Sequence, residues 1–115
     1  MWVFTTDGFF SIVRNDHCAE GELTVRARSQ SDLEKFMASC GVAAQVKETP
    51  HAGYRYRIQA PREAVARYLS RQAMELAYGN FKDACFVEEF SMNRMGVLHD
   101  IWTRCREAWR DSWHP

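Results

Sequence analysis

The spacing of apolar residues changes period along the chain, and each change marks an element. Residues 2–4 and 9–13 are two runs rich in aromatic and β-branched side chains, separated by Thr5-Thr6-Asp7-Gly8. Asp-Gly between such runs predicts a β-hairpin, because the tight turn needs residues that tolerate positive φ. Residues 15–21 are polar and read as a loop. Residues 22–28 then alternate: Leu23, Val25 and Ala27 point one way, Glu22, Thr24, Arg26 and Arg28 the other. That is the pattern of a half-buried strand.

Ser31 and Glu34 fit a capping box, with Leu33, Phe36 and Met37 as the apolar face of a short helix and Gly41 as its terminator. Residues 44–48 are a weak strand and residues 49–53, with Pro50 and Gly53, a turn. Alternation returns at residues 54–60, where Tyr54, Tyr56 and Ile58 oppose Arg55, Arg57 and Gln59. A helix is predicted over residues 61–78. Pro61 opens it; Val65, Leu69, Ala73 and Leu76 form its core stripe, with Tyr68 beside them. Gly79 ends it and Asn80 caps a following turn anchored by Phe81. The pattern assigns nothing to residues 81–90. A last amphipathic helix runs from Ser91 to about Asp111 with Met95, Leu98, Trp102, Cys105 and Trp109 on one stripe.

Strands outnumber crossover helices. The prediction is therefore one α+β domain over residues 1–115: a mainly antiparallel sheet with helices on one face and an amphipathic helix at the C-terminal end. Residues 22–78 read βαββα, most of a ferredoxin-like unit, with the N-terminal hairpin at the remaining edge.

Charge narrows the partners. Fifteen Lys and Arg balance fifteen Asp and Glu, so no global field draws the chain to nucleic acid or an anionic membrane. Twelve of those cations are arginine, suited to planar, bidentate contacts. There is no apolar run of transmembrane length and no secretory pattern at the start. The chain reads as cytoplasmic, with Cys18, Cys40, Cys85 and Cys105 reduced.

The segments MWVFTTDGFFSIV, LTVRAR, YRYRI running into PREAVA, and YGNFKDA resemble a family of small uncharacterised bacterial proteins. The resemblance covers most of the first 85 residues. It implies no activity, cofactor or catalytic residue. The tail over residues 94–115 departs from the family's shorter Tyr- and Trp-bearing helix by its richness in arginine and tryptophan.

Site chemistry is sparse. The Cys and His residues are scattered, with no C-x-x-C and no H-x-x-x-H, so neither a metal nor a cofactor is expected. His17 and Cys18 are adjacent in a loop and do not aim at each other, and His99 and Cys105 do not share a helix face well. No nucleophile elbow or phosphate loop occurs, and no enzyme is expected. Binding is the reading that remains. Arg26 and Arg28 lie on the outward side of one strand, Arg55 and Arg57 on that of another; in one sheet, all four decorate the open face. The plain alternative is a solvated face paired with nearby acids. Arg106, Trp109, Arg110 and Trp113 add a second candidate surface near the C-terminal end, with Trp102 expected in the core. A protein partner is the leading expectation. Nucleic acid on the arginine face is the alternative, set back by parity, which puts Tyr54 and Tyr56 on the core side, away from the arginines. In the segment over residues 78–84, a helix stop, a cap and a Phe81 anchor explain the residues better than a surface site does.

Overall fold

A hairpin opens the chain where the pattern places it. The computed structural model, which describes residues 1–110, pairs β1 (Trp2–Thr5) with β2 (Gly8–Val13), Thr5 standing opposite Gly8. The turn residues are Thr6 and Asp7. Gly8 has φ 149°, a conformation L side chains rarely adopt. A Cβ there would also sit 2.2 Å from the Asp32 carboxyl. Glycine is thus required by backbone and by space.

β2 pairs with β3 (Glu22–Ala27), β3 with β5 (Tyr56–Pro61), and β5 with the two-residue β4 (Lys47–Glu48). The order is β1-β2-β3-β5-β4 with every neighbour antiparallel. The fold is α+β, as the alternation predicted. α1 (Gln30–Cys40) and α2 (Arg62–Met74) cover one face of this sheet. The core there is Phe10, Ile12, Val25, Ala27, Ile58 and Ala60 from the strands, met by Leu33, Phe36, Val65 and Tyr68 from the helices. Three rings interlock at its centre: Phe36 and Tyr68 have centroids 4.2 Å apart, and Phe10 lies 5.3 Å and 5.8 Å from them.

Tyr68 is fully buried, and its hydroxyl is used twice. It donates to Asp7 Oδ2 at 2.7 Å and shares a 2.7 Å hydrogen bond with Thr5 Oγ1. Gln72 Nε2 donates to the same Asp7 oxygen at 3.3 Å. The other end of the turn is fixed by buried Asp32, whose Oδ2 accepts the Phe9 N–H at 3.2 Å. The turn is thereby latched to both helices.

Contacts divide the chain into two compact units, Met1–Leu76 and a second beginning at Ala77. The second contains α3 (Phe81–Val87) and α4 (Met92–Trp109). Asn80 caps α3, its Oδ1 accepting the Asp83 N–H at 3.1 Å, as its position suggested. Ser91 caps α4 in the same way, through Arg94 N–H.

Several boundaries differ from the sequence reading. α1 begins at Gln30, so the capping box does not form: Ser31 Oγ bonds Ser29 Oγ, and Glu34 accepts from Gln30. Pro61 ends β5 and precedes α2 instead of opening it. α2 stops at Met74, its buried face being Ala64, Val65 and Tyr68 with Leu69 partly covered, while Ala73 and Leu76 are exposed. The reason is length. Six-residue strands span about 20 Å, and so does a 13-residue helix. Further turns would have no sheet to cover. α4 buries no residue completely; Trp102, expected in the core, is half exposed. Arg104 reaches Glu107 at 3.9 Å. Residues 81–90, unassigned by pattern, hold α3. Trp113 lies outside the described residues.

Two predictions follow from the core. Phe36→Ala should cost about 3–5 kcal/mol, whereas Leu76→Ala should stay within about 0.5 kcal/mol. Urea unfolding distinguishes them, and equal losses would put the α2 stripe back where the periodicity had it. Tyr68 gives a pH dependence. Burial pushes its hydroxyl well above the ordinary tyrosine range, with Asp7 adding to the rise and Thr5 opposing it. The folded chain keeps this proton after the unfolded chain has lost it. The stabilisation is therefore whole below about pH 10 and declines as pH climbs beyond it, by up to ~1.4 kcal/mol per unit. Buried Cys40 and Cys85, also raised by burial, act in the same direction from about pH 8.5. Tyr68→Phe should lose about 1–3 kcal/mol at neutral pH and show a flatter alkaline decline. An unchanged decline would mean that Tyr68 does not govern it.

Candidate functional site

Because strand side chains alternate, the helix-covered face fixes what the other face carries. Opposite residues in antiparallel strands share a face, so the register assembles that open face row by row. One row is Trp2, Ser11, Arg26, Arg57 and Lys47, one residue from each strand. Beside it stand Phe4 and Phe9, paired across β1 and β2, with Arg28 two residues beyond Arg26. On its other side are Val13, Thr24 and Gln59.

Aromatic rings occupy the β1–β2 half. Phe4 and Phe9 stack at 4.4 Å, and Trp2 meets Phe9 edge-on at 6.1 Å. Trp2 is 72% exposed, so its ring is open to solvent. Tyr54 joins them from the loop before β5, its ring centroid 6.2 Å from that of Phe9. Arg26 and Arg28 both lean on the Tyr54 ring, at 4.7 Å and 4.5 Å from its centroid, and Arg28 also approaches Phe9 at 5.6 Å. The guanidinium plane and the electron-rich ring face attract each other.

Hydrogen bonds fix the arginines. Arg26 Nη2 donates to Ser11 Oγ at 2.7 Å. Arg57 Nη2 donates to Thr49 Oγ1 and to the Tyr54 carbonyl, at 3.1 Å and 3.2 Å. Arg57 thus holds the loop that swings Tyr54 over the face. Arg26 Nε and Arg57 Nε are both shielded from solvent and have no hydrogen-bond partner. Among the described residues, no acid lies within ion-pair distance of Arg26, Arg28, Arg57 or Lys47. Two like charges opposite each other on a sheet repel, and this pair has no carboxylate between them.

Of the four arginines expected on this face, Arg26, Arg28 and Arg57 are there. Arg55 is not part of the free set: it pairs with Glu48 at 2.6 Å and lies over Tyr56. The ladder of β5 starts at Tyr56, so strand alternation does not govern residues 54 and 55. That corrects the parity objection. Tyr56 packs against the core as expected, but Tyr54 lies with the arginines. Trp2, Phe4, Phe9 and Lys47 were absent from the sequence-derived site. The first three were readable in principle, since Val3, Phe10 and Ile12 take the opposite parity. Lys47 needed the β4–β5 register.

The second candidate surface belongs to the second unit. Arg106 lies 5.5 Å from the Trp102 ring centroid, Trp109 is 61% exposed, and Arg110 is exposed.

Other clusters are structural. A shallow groove of about 760 Å³ runs between the end of α1 and α2. Its arginines are engaged: Arg67 and Arg71 donate to the Cys40 and Ser39 carbonyls, which terminate α1. Burial raises the Cys40 and Cys85 thiols, keeping them protonated and poor nucleophiles. Thr24 Oγ1 donates toward Gln59 Oε1 and Asn15 Oδ1, with Cys18 Sγ 3.2 Å away, a polar knot that ties the 15–21 loop to the sheet. No helix among the described residues is long and apolar enough to cross a membrane. Comparison with protein-family models, curated proteins and solved structures finds no match for the chain.

The Tyr54 contacts make a stability prediction. Tyr54→Leu keeps the carbonyl that Arg57 uses and removes the ring on which Arg26 and Arg28 lean. At about 0.5–1 kcal/mol for each exposed cation–π contact, the loss should be about 1–2 kcal/mol by urea unfolding. No loss at all would mean that the two guanidiniums gain nothing from the ring.

Proposed function

We propose that this chain is a non-catalytic binding module that takes single-stranded nucleic acid on the open face of its sheet. The observation that carries the reading is the joint placement of exposed or half-exposed rings (Trp2, Phe4, Phe9, Tyr54) with cations that have no acid partner (Arg26, Arg28, Arg57, Lys47). Bases stack on rings whatever their sequence, for about 1–3 kcal/mol each. Guanidinium groups hold phosphate through charge and paired donors. A duplex hides its base faces, so the rings favour an unpaired strand.

A second reading, a protein partner on the second unit, is supported by α4. Met92, Val97, Ile101, Trp102 and Trp109 are all exposed there beside Arg106 and Arg110. Tryptophan, methionine and arginine are the residues that interfaces concentrate.

The test is fluorescence anisotropy with labelled oligo-U and oligo-dT of about 12 nucleotides, within the usual reach of a stacking platform. Wild type should bind both at low salt, and Trp2→Ala or Arg28→Glu should each weaken binding about 5–150-fold, the loss of roughly one stacked base or of a charge contact. Trp109→Ala should bind as wild type does. Absence of any signal up to ~100 µM protein, the weak end of non-specific binding, would overturn the proposal. A Trp109→Ala loss with Trp2→Ala unaffected would move the site to the second unit.

A further inference from the structure

Resting on the reading just given, we infer that the strand crosses the sheet, running over β1, β2, β3, β5 and β4 in turn instead of along any one of them. The track is the row Trp2, Ser11, Arg26, Arg57, Lys47. At about 4.8 Å between neighbouring strands, it is about 19 Å from end to end.

Charge decides the direction. A ligand following β3 would leave Arg28 and Arg26 for Thr24, whose hydroxyl is already bonded to Asn15 and Gln59, and would then meet the carboxylate of Glu22. One following β5 would pass from Arg57 to neutral Gln59. The cross-strand row meets no acid. It places three cations on three consecutive strands, Arg26, Arg57 and Lys47, with Trp2 at the far end. Arg26 and Arg57 are held in place by Ser11 and Thr49. Phosphates lie on the β3–β5–β4 half, and a base stacks on Trp2 beyond them. Lys47 is the informative member. It is exposed and stands at the sheet edge opposite Trp2, so a ligand stacked on Trp2 reaches it only by crossing the sheet.

The experiment measures affinity for labelled oligo-U against salt concentration, in the full chain. For a single strand, the slope of log affinity on log salt is about 0.7 per phosphate neutralised. Lys47→Gln should reduce the slope by about 0.7. Trp2→Ala should weaken binding about 5–150-fold and leave the slope as it was, because the lost contact is uncharged. Arg62→Gln, on the helix side, should change neither. Circular dichroism melts confirm that each variant is folded, and Lys47→Arg should restore the slope. If wild type binds and Lys47→Gln keeps the full slope, the crosswise track is wrong while the binding face stands. If duplex RNA binds as tightly as the single strand and Trp2→Ala is silent, base stacking at Trp2 is wrong. If wild type binds neither, both this inference and the reading beneath it fail.

Discussion

The hydroxyl of Tyr68 holds the architecture together at its least self-sufficient point. An isolated two-stranded hairpin is marginal in water, and β1 is an edge strand of four residues. What fixes it is the turn. Tyr68 reaches from α2 to Thr5 and Asp7, and Asp32 reaches from α1 to the Phe9 amide. These polar groups are buried or half-buried, and each has a partner, so the desolvation cost is met locally. The same bonds set the position of Phe9, and through the β1–β2 register those of Phe4 and Trp2. Half of the open face is therefore placed by interactions made on the opposite side of the sheet.

The other half is organised by Arg57. A guanidinium at this point lies opposite Arg26 and beside Lys47, a poor arrangement if stability were the only requirement. Its donors hold the 49–54 loop instead, and the loop returns the Tyr54 ring to cover Arg26 and Arg28. The ring partly replaces the water that the guanidiniums lose, but it supplies no counter-charge. Arg26 Nε and Arg57 Nε remain without acceptors. Sequences break their own packing rules mainly where another requirement intervenes, and an anion would relieve the repulsion.

The sequence made the hairpin, the β3 alternation and the cap at Asn80 legible, because each rests on local chemistry. It misjudged features that depend on what lies opposite. The stripe from Val65 to Leu76 has sound helical spacing, yet helical spacing carries no information about how long the sheet beneath is. The alternation of residues 54–60 looks continuous, yet Arg57 and Thr49 draw Tyr54 out of the ladder before it starts. Arg55, which parity placed with its neighbours, instead meets Glu48, an encounter set by the turn over residues 49–53. α4 shows the reverse limit. Its apolar stripe is regular, but regularity describes an amphipathic face and not what covers it.

The balance of charge over the whole chain limits how the open face can work. With fifteen cations against fifteen acids, attraction from a distance is weak, and screening confines what remains to about 8 Å at physiological ionic strength. On the proposed reading, a few phosphates on Arg26, Arg57 and Lys47 would give modest, salt-sensitive affinity. They do not separate a single strand from a duplex, since both offer phosphate. The separation has to come from the rings, which gain only when a base face is free. On the proposed reading, cations set how strongly the ligand is held and rings set which ligand it is, and the register of five strands keeps the two sets side by side.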